Sequence, residues 1–303
     1  MSVVTAVVIA GSLIASLPMA ANVHAMNPAA AATMQASSRS ESEQTTPVER
    51  GSRVALDDCE GTVTVRTWSQ SSVRARATGV RPSGLHVNSS GRVVVISSES
   101  RDEPVNLEVT VPEWIGLDVS GRACSVDVEG ISGAVAVEVV EGVIALRALT
   151  GAVDASAVDG TILIEGGRGR VRANTVDGEI RIAKATGQIT ADSVDGDIVL
   201  ENVDASAIEA STVDGDISFS GAFTGSGRYT FTTHDGDVAL VIPANSNATF
   251  GTRSFSGGKV DSTIPLQQTS SSARGRRTTF TLGSGAAQVE VESFDGAIRI
   301  RPR

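Results

Sequence analysis

Glycine recurs at every ninth position from Gly133 through Gly142, Gly151, Gly160, Gly169, Gly178 and Gly187 to Gly196. With 31 Gly in 303 residues, seven successive hits by chance are on the order of one in ten million. Around each Gly the chain reads apolar-x-Gly-x-apolar-x-apolar, as in Val176-Asp177-Gly178-Glu179-Ile180-Arg181-Ile182 and Val194-Asp195-Gly196-Asp197-Ile198-Val199-Leu200. The period-two alternation after Gly is that of a strand with one buried face. Asp-Gly before it is turn chemistry, because Gly takes positive φ freely and Asp bonds its own neighbouring backbone. Nine residues therefore make one short strand and one corner.

Alternate units differ, so the structural period is eighteen. One corner carries acid at Glu141, Asp159, Asp177 and Asp195, then at Asp214 and Asp235 at slightly longer spacing. The other carries Ser132, Thr150, Arg168 and Thr186. Two strands and two unlike corners per turn predict an all-β fold, a single-chain β-solenoid of flattened two-sheet coils of about 18–21 residues. Within one coil the pattern assigns Val176, Ile180, Ile182, Ile189 and Ala191 to the interior. The preceding coil contributes Val158, Ile162, Ile164, Val171 and Ala173, and the following one Val194, Ile198 and Leu200. About 250 residues at roughly 20 per coil give some twelve coils, a rod near 60 Å long at strand spacing.

The ends are less regular. Asp58 to Val65 is a degenerate unit, followed by strands around 73–77, 86–95 and 105–111. Beyond Phe219 the coils lengthen to about twenty-one residues, and larger side chains (Phe219, Phe223, Tyr229, Phe231, Phe250, Phe255 and Phe280) fill a broader core. Gln267 to Arg277 reads as a mobile polar loop. Aromatics are only 3% of the chain, so the rest of the core is Val, Ile, Leu and Ala, which suits thin stacked sheets.

Residues 1–25 read as a secretory signal: Val3 to Leu17 is apolar, and Val23-His24-Ala25 is an A-x-A-like cleavage site. No Lys or Arg precedes the apolar stretch, a departure from the usual pattern. No Cys follows it and no second hydrophobic span occurs, so neither a lipid anchor nor a membrane span is expected after signal removal. Residues 26–50, rich in Ala, Ser, Thr, Gln and Glu, read as a disordered linker, and 51–303 as the solenoid. Export permits a disulfide. The repeat nevertheless places Cys59 and Cys124 more than one coil apart, whereas a bridge needs Cα atoms within about 7 Å. Two buried free thiols are expected.

Three stretches carry a resemblance. The opening unit from Val54 to Trp68 ends a strand pair in an exposed Trp; VDGDI-like turns run from Val158 to Phe219; and the tail combines Asp235-Gly236-Asp237-Val238 through Pro243 with a closing Phe294 to Ile300. Together, over roughly residues 50–303, they resemble a bacterial "putative adhesin" domain family of unknown function. The resemblance implies a single-chain β-solenoid on the cell exterior or in the envelope, and it brings no catalytic site.

The acidic corner is the one constellation with candidate chemistry. If coils stack at about 4.8 Å, Asp177, Asp195, Asp214 and Asp235 form a ladder, and Glu179, Asp197, Asp216 and Asp237 a second. Oxygen-rich ladders can hold calcium. Repeats that do so carry Gly-Gly-x-Gly-x-Asp turns, which are missing here. Like charges at that spacing repel by about 0.9 kcal/mol in water and less in salt, so the ladder stands without a cation and no metal or cofactor is expected. A polysaccharide-acting enzyme using the acidic corner is the alternative, but such short corners build no groove and no aromatic platform flanks them. Arg168, Arg170 and Arg172 read as solvated strand-face residues. Net charge −10 argues against nucleic acid as a partner. The sequence points to a non-enzymatic surface module with an envelope or surface component as its partner.

Overall fold

The computed structural model describes residues 41–303 apart from 81–83, 99–103, 255–259 and 272–276, and the side chain of Ser271. The predicted signal and residues 26–40 lie outside the described residues. Among those described no helix forms, and none is long and apolar enough to cross a membrane.

Parallel pairing stacks the chain in levels of two short strands or one long bent strand. In spatial order the first four levels are Val93–Ser98 with Val105–Pro112, then Arg53–Trp68, Gly116–Glu129 and Val135–Arg147. Val153–Glu165 follows, then Arg170–Asn174 with Ile180–Ala183, and Thr186–Asp192 with the start of Ile198–Asp214. The rest of that strand forms the next level together with Ile217–Gly221, and Arg228–Asp235 with Val238–Ile242 comes next. Ala287–Asp295 with Ile298–Pro302 and finally Ala248–Ser254 with Val260–Ser262 complete the stack. Ten steps between these eleven levels at about 4.8 Å give a stack near 48 Å. It is shorter than the expected rod because residues outside the levels form capping hairpins.

The predicted columns pack as the period requires. Ile180 pairs in register with Ile162 and Ile198, and Ile198 with Ile217; all four are fully buried. Arg181, Val199 and Ser218 occupy the outer face of the same strands. Val158, Val176 and Val194, assigned to the interior by sequence, are instead about half exposed. The alternation does not run through the corner. Thr175 is buried, Val176 and Asp177 both point outward, and Ile180 is buried again. The turn thus shifts the inward parity from odd to even positions.

At both ends the chain overshoots and returns. Arg53–Trp68 is followed by Val93–Ser98 and Val105–Pro112 on one side of it, and only then by Gly116–Glu129 on the other. Likewise Ala287–Asp295 inserts between Arg228–Asp235 and the earlier strand Ala248–Ser254. This threading corrects the cysteine expectation. Cys59 and Cys124 stand on adjacent levels and form a disulfide, with Cα atoms 5.7 Å apart despite a sequence separation of 65. The 47 residues from 69 to 115 loop out to the terminal level instead of adding coils between them.

Hairpins cap the stack. Glu41–Pro47, within the predicted linker, is a strand pairing antiparallel with Ser72–Thr78, which pairs in turn with Val105–Pro112. Gln267–Ser271, the start of the predicted polar loop, pairs antiparallel with Arg277–Leu282, which covers Ala248–Ser254. The edge strands ESEQTTP and QQTSS are polar and offer no apolar edge for association. In the C-terminal part Phe219, Tyr229, Phe231 and Phe250 are fully buried, and the Phe223 and Tyr229 rings lie 4.5 Å apart. The Tyr229 hydroxyl donates to the Ala205 carbonyl at 2.7 Å. Phe255 lies outside the described residues.

Candidate functional site

The acidic corner is built on glycine. Gly178 sits at φ +127°, and a Cβ there would stand 2.3 Å from the carbonyl oxygen of Gly160. Gly196, Gly215, Gly236 and Gly296 repeat the approach to the Gly one level below, at 1.9–2.4 Å. No side chain fits, so the column is obligatory for stacking at strand distance. Three residues before each Gly a buried hydroxyl faces inward: Thr175, Ser193, Thr212, Thr233 and Ser293. Thr212 Oγ1 donates to the Gly196 carbonyl at 3.1 Å, Thr233 Oγ1 to Gly215 at 3.0 Å and Ser293 Oγ to Gly236 at 3.1 Å. Ser193 Oγ has no partner. Thr212, Thr233 and Ser293 thereby satisfy corner carbonyls that the strand ladders leave over.

Both predicted acidic ladders form, with different roles. In the first, Asp159, Asp177, Asp195 and Asp214 bridge one another through their backbones. Asp214 pairs in register with Asp235, Asp235 with Asp295, and Asp159 with Glu141. All seven side chains are exposed, and among the described residues none forms a salt bridge. In the second ladder the carboxylates are structural. Asp197 Oδ1 accepts the backbone N–H of Asp216 at 2.8 Å, Asp216 Oδ1 that of Asp237 at 2.7 Å, and Asp237 Oδ1 that of Ala297 at 2.7 Å. The Ala297 N–H, aided by Arg299 at 2.5 Å, holds the Asp237 carboxyl below the usual carboxylate range against the opposing pull of partial burial. Among the described residues no group of three or more His, Cys, Asp or Glu has metal-holding geometry.

Sequence reasoning missed the column beside the first ladder. Val140, Val158, Val176, Val194, Val213, His234 and Phe294 stand immediately before the seven acids and point outward. The five Val and Phe294 are 43–51% exposed and make up six of the eight exposed large apolar side chains among the described residues. His234 and Phe294 stack with ring centroids 4.6 Å apart. The signal was present in the sequence as the apolar residue two before each Gly; only its parity misled.

Elsewhere the outer faces carry paired charges. Arg181 bridges Glu179 and Glu201 at 2.5 and 2.7 Å, Arg147 meets Asp127 at 2.8 Å, and Arg253 meets Glu292 at 3.1 Å. Arg172 approaches Asp154 at 3.8 Å. Trp68 is half-buried under the Arg74 guanidinium, 5.0 Å from the ring centroid. A shallow concavity of about 370 Å³ is lined by Asp57, Asp118, Glu138 and Asp154 with Ser120 and Ser156. No sequence signal marks it, because it depends on Arg53–Trp68 stacking directly on Gly116–Glu129.

Parallel strands stacked two to a level around an apolar slot, cornered on a glycine column, define a single-chain β-solenoid. More particularly, the chain belongs to the Toastrack DUF4097 family, whose model matches residues 51–301. Among solved structures, a "putative adhesin" from Bacteroides fragilis is 13% identical, with 87% of this chain and 98% of that one aligned at a TM-score of 0.43. Another from Parabacteroides merdae is 10% identical, with 86% and 95% aligned at 0.44. A "putative cell adhesion protein" from Clostridium sporogenes is 10% identical, with 87% and 100% aligned at 0.23. No curated protein matches the sequence.

Proposed function

We propose that this chain is an exported, non-enzymatic module that presents its solenoid surface to an envelope or surface component. The observation that carries the reading is the corner: seven successive levels expose the same pair of side chains, one apolar or aromatic and one acidic. A surface repeated at strand spacing suits many weak contacts made together. Export is supported by the apolar segment with Val23-His24-Ala25 and by the Cys59–Cys124 disulfide, which belongs to an oxidising compartment. The test is recovery of the mature chain from the envelope fraction and capture of a partner on it. A product beginning at Met26 that retains one component reproducibly supports the reading. A full-length cytoplasmic product that retains nothing contradicts it.

A polysaccharide-acting enzyme using the acidic corner is the second reading, and the acid-lined concavity is a further group of carboxylates such a reading could use. There Asp118 and Asp154 stand two levels apart with Ala136 between them, roughly 9.6 Å of backbone at strand spacing. Arg53 holds Asp118 at 2.8 Å, which withdraws one of the two carboxylates from that role.

A further inference from the structure

We infer that the column Val140–Val158–Val176–Val194–Val213–His234–Phe294 is the docking ridge for a cationic amphipathic helix laid along the stacking axis. The inference rests on the binding-module reading above and specifies its partner. A run of six half-exposed apolar side chains is unusual on a face otherwise polar, and contiguous exposed apolar surface of this kind marks interaction sites.

Charge chooses the occupant. One flank of the ridge is the ladder Glu141, Asp159, Asp177, Asp195, Asp214, Asp235 and Asp295, which is exposed and has no cationic partner among the described residues. On the opposite flank, the outward positions two residues earlier include Glu138 and Asp192 among Ser, Thr and Asn, with Glu292 already held by Arg253. On the outer faces beyond, Arg172 pairs with Asp154 and Arg181 with Glu201, whereas the seven acids beside the apolar column have no such partner among the described residues. A partner that covers the Val side chains must bring positive charge to both flanks.

Spacing chooses the conformation. The ridge offers an apolar group about every 4.8 Å. A helix presents one per turn, about 5.4 Å, a mismatch of roughly 0.6 Å per step. An extended strand presents one every second residue, about 6.7 Å apart, and loses register roughly three times faster. A second copy of this chain would match the spacing, but it would set one unpaired acidic ladder against another at a net charge of −10 per chain. A helix of about 20 residues, some 30 Å long, spans all seven levels.

The probe is a synthetic 20-residue Lys/Leu peptide with an apolar residue at every turn, alongside a scrambled peptide of the same composition. Binding to the purified protein is measured by fluorescence anisotropy. The amphipathic peptide is expected to bind at least about tenfold more tightly than the scrambled one. Val158→Thr, Val176→Thr, Val194→Thr and Val213→Thr combined keep the β-branched shape and are expected to weaken binding about tenfold with an unchanged circular dichroism spectrum and Tm. Asp177→Asn, Asp195→Asn and Asp214→Asn combined should weaken it and flatten its salt dependence. Equal binding of the two peptides, or no loss in the Val→Thr variant, would overturn the inference. So would concentration-dependent self-association abolished by the same Val→Thr changes, which would make a second copy the occupant. Envelope capture that persists in the Val→Thr variant would leave the binding-module reading standing while this inference failed.

Discussion

The Cα of Gly178 faces the carbonyl oxygen of Gly160 so closely that a Cβ at position 178 would stand 2.3 Å from it. Two neighbouring levels of backbone meet there with no room for a side chain. Gly178→Ala therefore combines a steric clash with a positive φ and is expected to destabilise the protein by about 2–4 kcal/mol. Gly91→Ala is the control. Gly91 also has positive φ, +61°, but a Cβ there meets nothing within 4 Å, so the expected cost is about 1 kcal/mol. Urea midpoints of the two variants measure the difference.

Inside and outside are separated by one residue at Ile198 and Val199. Ile198→Asp places a carboxylate in the slot between Ile180 and Ile217 and should cost several kcal/mol. Val199→Asp, on the outer face, should cost less than about 1 kcal/mol. Because each level contacts only its neighbours, hydrogen exchange in Ile198→Asp should rise first in the levels adjoining it. Equal destabilisation by the two substitutions would refute the register.

The disulfide closes a 65-residue loop. On the loop-entropy account such a cross-link is worth up to about 4 kcal/mol. Reduction, or paired Cys59→Ser and Cys124→Ser, should lower the urea midpoint and loosen the capping hairpins at the N-terminal end first. Proteolysis between 69 and 115 should accelerate while the levels from Val153–Glu165 onward stay protected.

Acid should weaken the contact that Asp237 makes with the last-threaded level. The Ala297 N–H, then Arg299, depress the Asp237 carboxyl in the folded state, so its contribution is complete above the unfolded carboxylate range and is lost as pH falls below about 4. The stability difference between the protein and Asp237→Asn, read as a Tm difference, should be greatest near pH 6 and shrink toward pH 2. A difference that grows on acidification would have the wrong sign.

The regular middle of the fold was legible because the glycine column leaves one residue type possible at a fixed interval, and the Ile and Val positions after each Gly follow a period of two. What escaped the sequence has physical causes. Val158, Val176 and Val194 look buried when that period is extended through a corner, but the turn places two consecutive side chains outside. Cys59 and Cys124 look distant when coils are counted along the chain, whereas the strand pairing lets residues 69–115 fold back to the terminal level. Glu41–Pro47 has a linker's composition because an edge strand facing water needs no apolar face. The acidic ladders were recognisable, but their division of labour was not. Only the stacked geometry shows Asp197, Asp216 and Asp237 spending a carboxylate oxygen on the next level's amide.

That the molecule presents a surface and performs no chemistry is tested most directly by turnover. The purified protein is incubated with a panel of polysaccharides and esters. The same panel is given to Asp195→Asn, Asp214→Asn, Asp235→Asn combined, and to Asp118→Asn, Asp154→Asn combined. The account predicts product at the level of the protein-free blank for all three proteins, with superimposable circular dichroism spectra. Turnover by the unmodified protein that disappears in either variant while the spectrum stays unchanged would contradict it, and would make those carboxylates an active site.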